Sequence, residues 1–334
     1  MSTTSTTSAR AGARERLRTP ESPAEPENKS HGRAEAGRRS GPLAALASRV
    51  VCGGIAGALN VAIKRFPPVV RIETTNACNA RCTICPHAAI RRPIRRMDDS
   101  VFASVIDQCA TGGCREVHLH NFGEPLMDRG LAERVRLAKD RGIAKVKIFC
   151  NGSLMTAERA RELIEAGLDE VKISFDGATA EEFERIRVPL KFQSVVDNVR
   201  TLVQLRNEAG ARLRVNVACC STSDKQGTMA TLEKVVDGFS FGKVHNWASE
   251  DYETPGTIRK PCSRLWRTMT ILASGEVSLC CLDYDGQQIL GRLDGGQSLA
   301  AIWRGEPYRR VRRLHATARQ DEISLCRNCT KAFL

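Results

Sequence analysis

Three cysteines within eight residues, Cys78, Cys82 and Cys85, constrain this chain more than any other feature of it. Three neighbouring thiols exceed what one disulfide uses, so their spacing points to a metal centre. They lie in Thr75-Asn76-Ala77-Cys78-Asn79-Ala80-Arg81-Cys82-Thr83-Ile84-Cys85-Pro86, directly after a run in which Val70, Ile72 and Thr74 alternate as on a strand. A structural zinc ion takes four ligands. No fourth Cys or His stands at a finger-like distance, His87 being too close behind Cys85 to serve easily. A cubic iron–sulfur cluster on three thiolates keeps one iron open for a ligand that is not protein. On spacing alone both metals stay open.

From Val69 onward the chain alternates strand and helix, the pattern of parallel βαβ units. Strands are expected over residues 69–74, 116–121, 145–149, 170–175, 212–218 and 243–247, with amphipathic helices between them. Asp98 or Asp99 is placed to cap the first of these helices, and Thr179 with Glu182 to form a capping box on a later one. Six such units predict an α/β fold, an open, partial (β/α)6 TIM-like barrel rather than a closed one of eight. Ligands of such barrels collect at the C-terminal ends of the strands. The cysteine loop, Gly123-Glu124-Pro125, Asn151-Gly152 and the turn from Ser174 to Gly177 all fall at such ends. His118 and His120 lie two apart on the second strand and face the same way, as substrate or proton-handling groups or as core histidines.

The spacing of Cys78, Cys82 and Cys85 resembles the signature of the radical S-adenosylmethionine (radical SAM) enzymes, and the resemblance covers roughly residues 69–330. It implies that these cysteines hold a [4Fe–4S] cluster whose open iron binds the amino and carboxylate groups of S-adenosylmethionine. Gly123-Glu124-Pro125 resembles the family's Gly-Gly-Glu-Pro turn, with Phe122 in place of the first glycine. That implies that the backbone and Glu124 receive the methionine ammonium. Asn151, Ser174 and Arg187 stand where the family contacts the cofactor's carboxylate or ribose, although Ser and Asn at strand ends are also ordinary turn residues. Ile84 takes a position that is often aromatic in the family, so it can pack against adenine but not stack on it. The implied chemistry is reductive cleavage of the cofactor to a 5′-deoxyadenosyl radical, which abstracts hydrogen from a substrate carbon. No side chain is singled out as catalytic, and a flavodoxin- or ferredoxin-type electron donor is implied.

Past Pro255 the alternation stops, and four separated thiols follow: Cys262, Cys280, Cys326 and Cys329. This part resembles the shortened SPASM domain called twitch, which implies a hairpin and a helix around an auxiliary [4Fe–4S] cluster on those four cysteines. Four thiolates ending in CxxC are also a zinc-ribbon pattern. Cys281 is left over, as an alternative ligand, a hydrogen donor or a packed thiol. The expected plan is a disordered basic tail over residues 1–41, a lead-in helix over 42–68, the barrel over 69–250 and a cysteine-rich twitch/SPASM-like domain over 251–334.

Composition bears on compartment and partners. Fourteen cysteines without a recognisable signal peptide fit a cytoplasmic metal protein better than a secreted disulfide framework. The longest uncharged run, residues 50–63, is too short to span a bilayer, so no membrane partner is expected. Of the net charge of +13, the eight Lys/Arg and five acids of residues 1–41 supply only +3. A basic fold suits an anionic small-molecule substrate or an acidic electron donor, although net charge alone names no partner. With 5% aromatic residues and no basic run interleaved with them, nucleic acid is not expected. The expected function is a radical SAM enzyme acting on a small sugar- or nucleotide-type intermediate by dehydrogenation, epimerisation or C–C coupling. The alternatives are a maturase that modifies a peptide or protein and, outside the enzymes, a non-catalytic iron–sulfur or zinc scaffold.

Overall fold

Alternation between apolar and polar residues decides which way each strand faces. In β3 (Lys145–Cys150) the side chains of Val146, Ile148 and Cys150 are buried, whereas Lys147 and Phe149 are half-buried on the opposite face. The same rule orders β1 (Val69–Ile72), β2 (Glu116–His118), β4 (Glu170–Ser174) and β5 (Arg214–Cys219). Their apolar faces pack against the helices that connect them, and each fully buried aliphatic side chain there is worth roughly 1.5–3 kcal/mol. The polar faces are left to line the concave side.

The computed structural model describes residues 41–247, 256–293 and 296–334. The expected tail falls outside these residues except for Gly41. The connecting helices are α2 (Asp99–Gly112), α3 (Leu131–Asp140), α4 (Ala157–Glu165), α5 (Ala180–Ile186), α6 (Phe192–Glu208) and α7 (Lys225–Ala230). Asp98 caps α2 by accepting the Ser100 N–H at 2.8 Å. At α5 the Thr179 hydroxyl accepts the Glu182 N–H at 3.2 Å, and Glu182 reaches back to the N–H of Ala178, one residue earlier than in a standard capping box.

Strands β1 to β5 lie side by side in chain order, all parallel, and a sixth, β6 (Gly238–Phe241), pairs with β5 in parallel. This is the expected open, partial βα barrel with one correction. The sixth strand is Gly238–Phe241, not residues 243–247, with Phe239 and Phe241 on one side of it.

Beyond the barrel the sheet continues. A short helix α8 (Arg264–Arg267) leads into β7 (Thr268–Ile271), which pairs in parallel with β1 and starts an antiparallel run through β8 (Glu276–Ser278) and β9 (Ile289–Arg292). The nine-stranded order is β6-β5-β4-β3-β2-β1-β7-β8-β9. The C-terminal hairpin is therefore an extension of the barrel sheet. It is followed by α9 (Leu299–Arg304), which buries Trp303, then α10 (Glu306–Ala316) and a last turn, α11 (Ser324–Arg327).

The lead-in helix α1 spans Pro42–Ala62 and buries Ser48, Cys52 and Ala56. It and the residues after it are tied to the C-terminal part by Arg259 N–H to Ser48 at 3.0 Å, the Trp266 indole to Asn60 at 2.7 Å and the Trp303 indole to the Lys64 carbonyl at 3.1 Å, and by Cys52, whose thiol meets the Arg259 carbonyl and the Gln320 amide. Its other flank exposes Leu43, Val50 and Val61, the last at 90%. Counting uncharged residues from Val50 understates this element. The helix runs back past Arg49 to Pro42 and is, among the described residues, the one helix long and apolar enough to cross a membrane by length and composition.

Candidate active site

The cysteine loop is held at the C-terminal end of β1 by backbone bonds on three sides. Arg81 N–H donates to the Val188 carbonyl at 2.6 Å and Thr83 N–H to that of Ile186 at 2.9 Å, which ties the loop to the end of α5. Asn76 is fully buried; its amide donates to the Pro93 carbonyl at 2.9 Å and its oxygen accepts the Arg95 N–H at 2.6 Å. Glu124 N–H donates to the Ala77 carbonyl at 2.7 Å, which brings the Gly123-Glu124 turn onto the loop.

Cys78, Cys82 and Cys85 are free thiols of intermediate exposure on this loop. Burial pushes the Cys78 thiol up to about 12, and the neighbouring charges of Glu124, Cys82 and Cys85 add to the rise. Burial raises Cys85 as well, with Cys82 adding to it. Thiols held protonated in this way lose their protons when they ligate metal. Cys82 Sγ has a cationic neighbour, the Arg187 guanidinium at 3.7 Å, and Cys78 Sγ accepts the Ala80 N–H at 3.5 Å.

Gly123 shows how closely the turn meets the loop. Its φ is +99°, and a Cβ there would stand 2.6 Å from the Thr75 carbonyl oxygen, 2.7 Å from Asn76 Cα and 2.8 Å from the Ala77 carbonyl oxygen. All three are backbone atoms that cannot swing aside. Gly123→Ala is therefore expected to cost at least about 2 kcal/mol, read as a lowered melting temperature together with weakened iron retention by the loop.

Glu124 is buried, and its carboxylate accepts the Leu126 N–H at 3.1 Å and the Asn151 N–H at 2.7 Å. Burial pushes its pKa up to about 7, against the lowering effect of those two N–H groups and of Arg187. Among the described residues no cation is bonded to it, so an incoming ammonium would find a carboxylate already oriented. The Asn151 side chain donates to Asn79 Oδ1 at 2.9 Å, and the Asn79 amide donates to Ser153 Oγ at 2.9 Å, which fixes the β3 turn to the cysteine loop.

Arg187 has an unanticipated partner. It is paired with Asp176, whose other oxygen accepts the N–H groups of Cys220 and Ser221 at 2.6 and 2.7 Å. Asp176 is fully buried, and through Arg187 it fixes a positive charge beside Cys82. Its signal in the sequence was the Asp176-Gly177 pair at the end of a strand, which reads first as a turn. Ser174 ends β4, half-buried and two residues from Asp176. The structure thus joins Gly123, Glu124, Asn151 and Arg187 to the cysteine loop, while Ser174 stands on the adjoining strand end, its side chain without a bond to that network among the described residues.

An aromatic wall closes one side. Phe122 meets Trp247 edge-on at 5.6 Å and Tyr284 at 6.0 Å, and the Trp247 indole donates to the Ile84 carbonyl at 3.0 Å. The residue replacing the family's first glycine thus packs away against two aromatics. Arg92, bidentate on the fully buried Glu73 at 2.5 and 2.6 Å, also donates to the Tyr284 carbonyl at 2.7 Å and anchors the segment after the cysteine loop.

In the C-terminal part Cys262, Cys280, Cys281 and Cys329 are gathered around Arg264, and Cys326 lies by Cys262 and Cys329 with Arg259 as its cationic neighbour. The guanidinium of Arg264 is raised by Cys281 first, with Cys262, Cys280 and Cys329 also contributing. Burial raises Cys262, Cys280, Cys326 and Cys329, and mutual repulsion among these thiols adds to it. Cys262 N–H donates to His315 Nδ1 at 3.2 Å, so that buried histidine orients the entry to α8. Among the described residues no three His, Cys, Asp or Glu side chains stand as close as the ligands of a single ion. The donor sets at both places, soft thiols in low-dielectric surroundings with guanidinium groups nearby, suit iron–sulfur clusters.

Known proteins share both parts. A model of the radical SAM superfamily matches residues 72–211, and a model of the SPASM iron–sulfur cluster-binding domain matches residues 262–330. A GTP 3′,8-cyclase of Chlorobaculum tepidum is 36% identical over 127 residues, which cover 38% of this chain and 38% of that protein. A PqqA peptide cyclase of Ruegeria pomeroyi is 27% identical over 179 residues, covering 46% and 47% respectively. The matched segments span less than half the length of these two relatives. The crystal structure of BtrN in complex with AdoMet and 2-DOIA superposes with a TM-score of 0.59 at 18% identity, covering 80% of this chain and 94% of that one, a likeness of fold. The chain belongs to the radical SAM superfamily and carries a C-terminal SPASM domain, two domains whose cofactors are [4Fe–4S] clusters and S-adenosylmethionine.

Proposed function

We propose that this chain is an enzyme that takes hydrogen from a carbon of a small sugar- or nucleotide-type intermediate, leading to dehydrogenation, epimerisation or C–C coupling. The observation that carries the reading is the meeting of Cys78, Cys82 and Cys85 with Glu124, Asn151 and Arg187 at one end of the barrel. When bound, the cluster and S-adenosylmethionine supply one electron and a carbon radical able to attack an unactivated C–H bond. The three thiolates hold the cluster and Glu124 receives the methionine ammonium. Asn151 keeps that carboxylate aimed through its backbone N–H, and Arg187 sets a fixed positive charge beside Cys82. Phe122, Trp247 and Tyr284 keep water from that side. Cys262, Cys280, Cys326 and Cys329 hold a second cluster, with Arg264 balancing its charge.

A small-molecule substrate is supported by the concave face, which is polar and charged, and by the relatives that act on small molecules, the GTP cyclase among them. The peptide reading draws on the similarity to a peptide cyclase. Anaerobic reconstitution followed by dithionite and S-adenosylmethionine tests the enzyme reading. 5′-Deoxyadenosine is the expected product. A fully iron-loaded protein that forms none is the scaffold instead, and four irons with one zinc would remove the redox role given to the C-terminal domain.

A further inference from the structure

The concave face of the sheet is charged where a small barrel is ordinarily filled with branched apolar side chains. Arg71 on β1, Glu116 and His118 on β2, Lys145 and Lys147 on β3, and Glu170 and Lys172 on β4 all occupy the face opposite the apolar core. Glu170 is shared by three lysines, with Nζ of Lys145, Lys147 and Lys172 at 2.5, 3.5 and 4.0 Å. Glu116 pairs with His118 at 2.8 Å and lies 3.8 Å from Lys147. Four cations thus face two carboxylates, and an excess of two positive charges is left in a partly enclosed space.

Two further observations point to a missing anion. Lys147 and Lys172 both stand over the Phe149 ring, at 5.9 and 5.5 Å from its centre, so two like charges are held around one aromatic. Arg71 Nε and His118 Nδ1 are buried without a hydrogen-bond partner among the described residues. Burial lowers Lys147, and repulsion from Lys172 and Lys145 works in the same direction. Like charges brought together out of water are unfavourable unless an anion joins them, which is the usual arrangement of a binding site awaiting its ligand.

The excess of two matches a phosphate group, which carries about −1.5 to −2 near neutral pH, better than a single carboxylate at −1. At about 3.3 Å per residue, Lys147 lies roughly 13 Å along the strand from Asn151 at the cysteine-loop end. That is about the reach of a sugar phosphate. We propose that Arg71, Lys147 and Lys172 form a phosphate-binding floor, which holds the phosphate or pyrophosphate of the substrate so that its carbon skeleton rises toward the Cys78, Cys82 and Cys85 loop. This rests on the reading of the chain as an enzyme for small molecules and names the class of molecule.

The test is calorimetric titration of the reconstituted full chain with inorganic pyrophosphate, without S-adenosylmethionine or reductant. Saturable binding that weakens as salt is raised is expected, with Lys147→Gln and Lys172→Gln each weakening it at least about tenfold. Arg310→Gln, which removes an exposed charge on α10, is expected to leave binding unchanged. No binding by the wild type, or equal loss in Arg310→Gln, overturns the proposal. So does glucuronate binding as tightly with the same lysine dependence, which would make the floor a carboxylate site. Should Lys147→Gln fail to fold, Lys172→Gln, whose side chain is more exposed, decides alone. Because cofactor cleavage is not read here, a chain that binds pyrophosphate but forms no 5′-deoxyadenosine keeps the floor and loses the enzyme. The reverse result keeps the enzyme and loses the floor.

Discussion

Cys78→Ala is expected to form no 5′-deoxyadenosine above background, while iron falls from about eight to about four per chain, the content of one cube. The loop has no slack with which to compensate. It is tied at Arg81 and Thr83 to the end of α5 and at Ala77 to the Glu124 turn, so no other side chain can swing into the vacated place. A cube on two thiolates is open at two corners and is lost to solvent. The partner experiment is Cys326→Ala, which is expected to remove the other four irons and leave cofactor cleavage by the first cluster measurable. Iron analysis with Mössbauer spectra of both variants checks the pair. If Cys78→Ala keeps all its iron, the loop is not a cluster site; if Cys326→Ala keeps it, the C-terminal thiols hold something else.

The cysteine loop was legible because its chemistry is written in residue identity: thiols at fixed spacing need no partner from elsewhere to be recognised. The strands β1 to β5 were legible because Val and Ile alternate with charged residues, and the period of two survives any tertiary context. β6 was not. Gly238 and Gly242 bracket it and read locally as breakers, whereas residues 243–247 looked more like a strand. Its pairing with Asn216 to Cys219 is a long-range choice that no window shows. The same holds for β7, whose register against Val69 to Ile72 joins segments nearly two hundred residues apart and makes the C-terminal hairpin part of the barrel sheet.

Arg187 is the informative case within the site. The sequence places a guanidinium near the cofactor, but a buried Asp176 at the end of β4 takes one edge of it, leaving another to face Cys82. Pairing of that kind is fixed by where α5 ends relative to β4, a matter of packing. The charged interior was hidden for a related reason. Lys145, Lys147, Lys172 and Glu170 look like ordinary solvent-facing positions until β3 and β4 pair in a register that sets Lys147 opposite Glu170.

Glu124 gives the second large effect, and its sign follows from its surroundings. Its folded pKa of about 7 lies above the ordinary carboxylate value near 4.3, so the empty protein's stability from this group is full below about 4.3 and is lost as pH rises through about 7. The loss is on the order of 3 kcal/mol, since each tenfold change in the proton's affinity for the carboxylate is worth about 1.4 kcal/mol. An ammonium arriving beside the carboxylate reverses the cost, because it favours the ionised form. S-Adenosylmethionine is therefore expected to bind more tightly as pH rises from 5.5 to 7.5, by roughly tenfold or more, in the wild type. Glu124→Gln is expected to bind at least about a hundredfold more weakly with no such pH dependence, and to melt higher than the wild type at pH 8 when empty. Equilibrium dialysis of the cofactor and thermal melts at pH 5.5 and 8 measure both. The melting result separates Glu124 as a receiver of charge from Glu124 as a mere turn former: a structural carboxylate that only braces Leu126 and Asn151 would lower the melting temperature of the empty Glu124→Gln protein, because its two N–H bonds would be weakened with nothing gained.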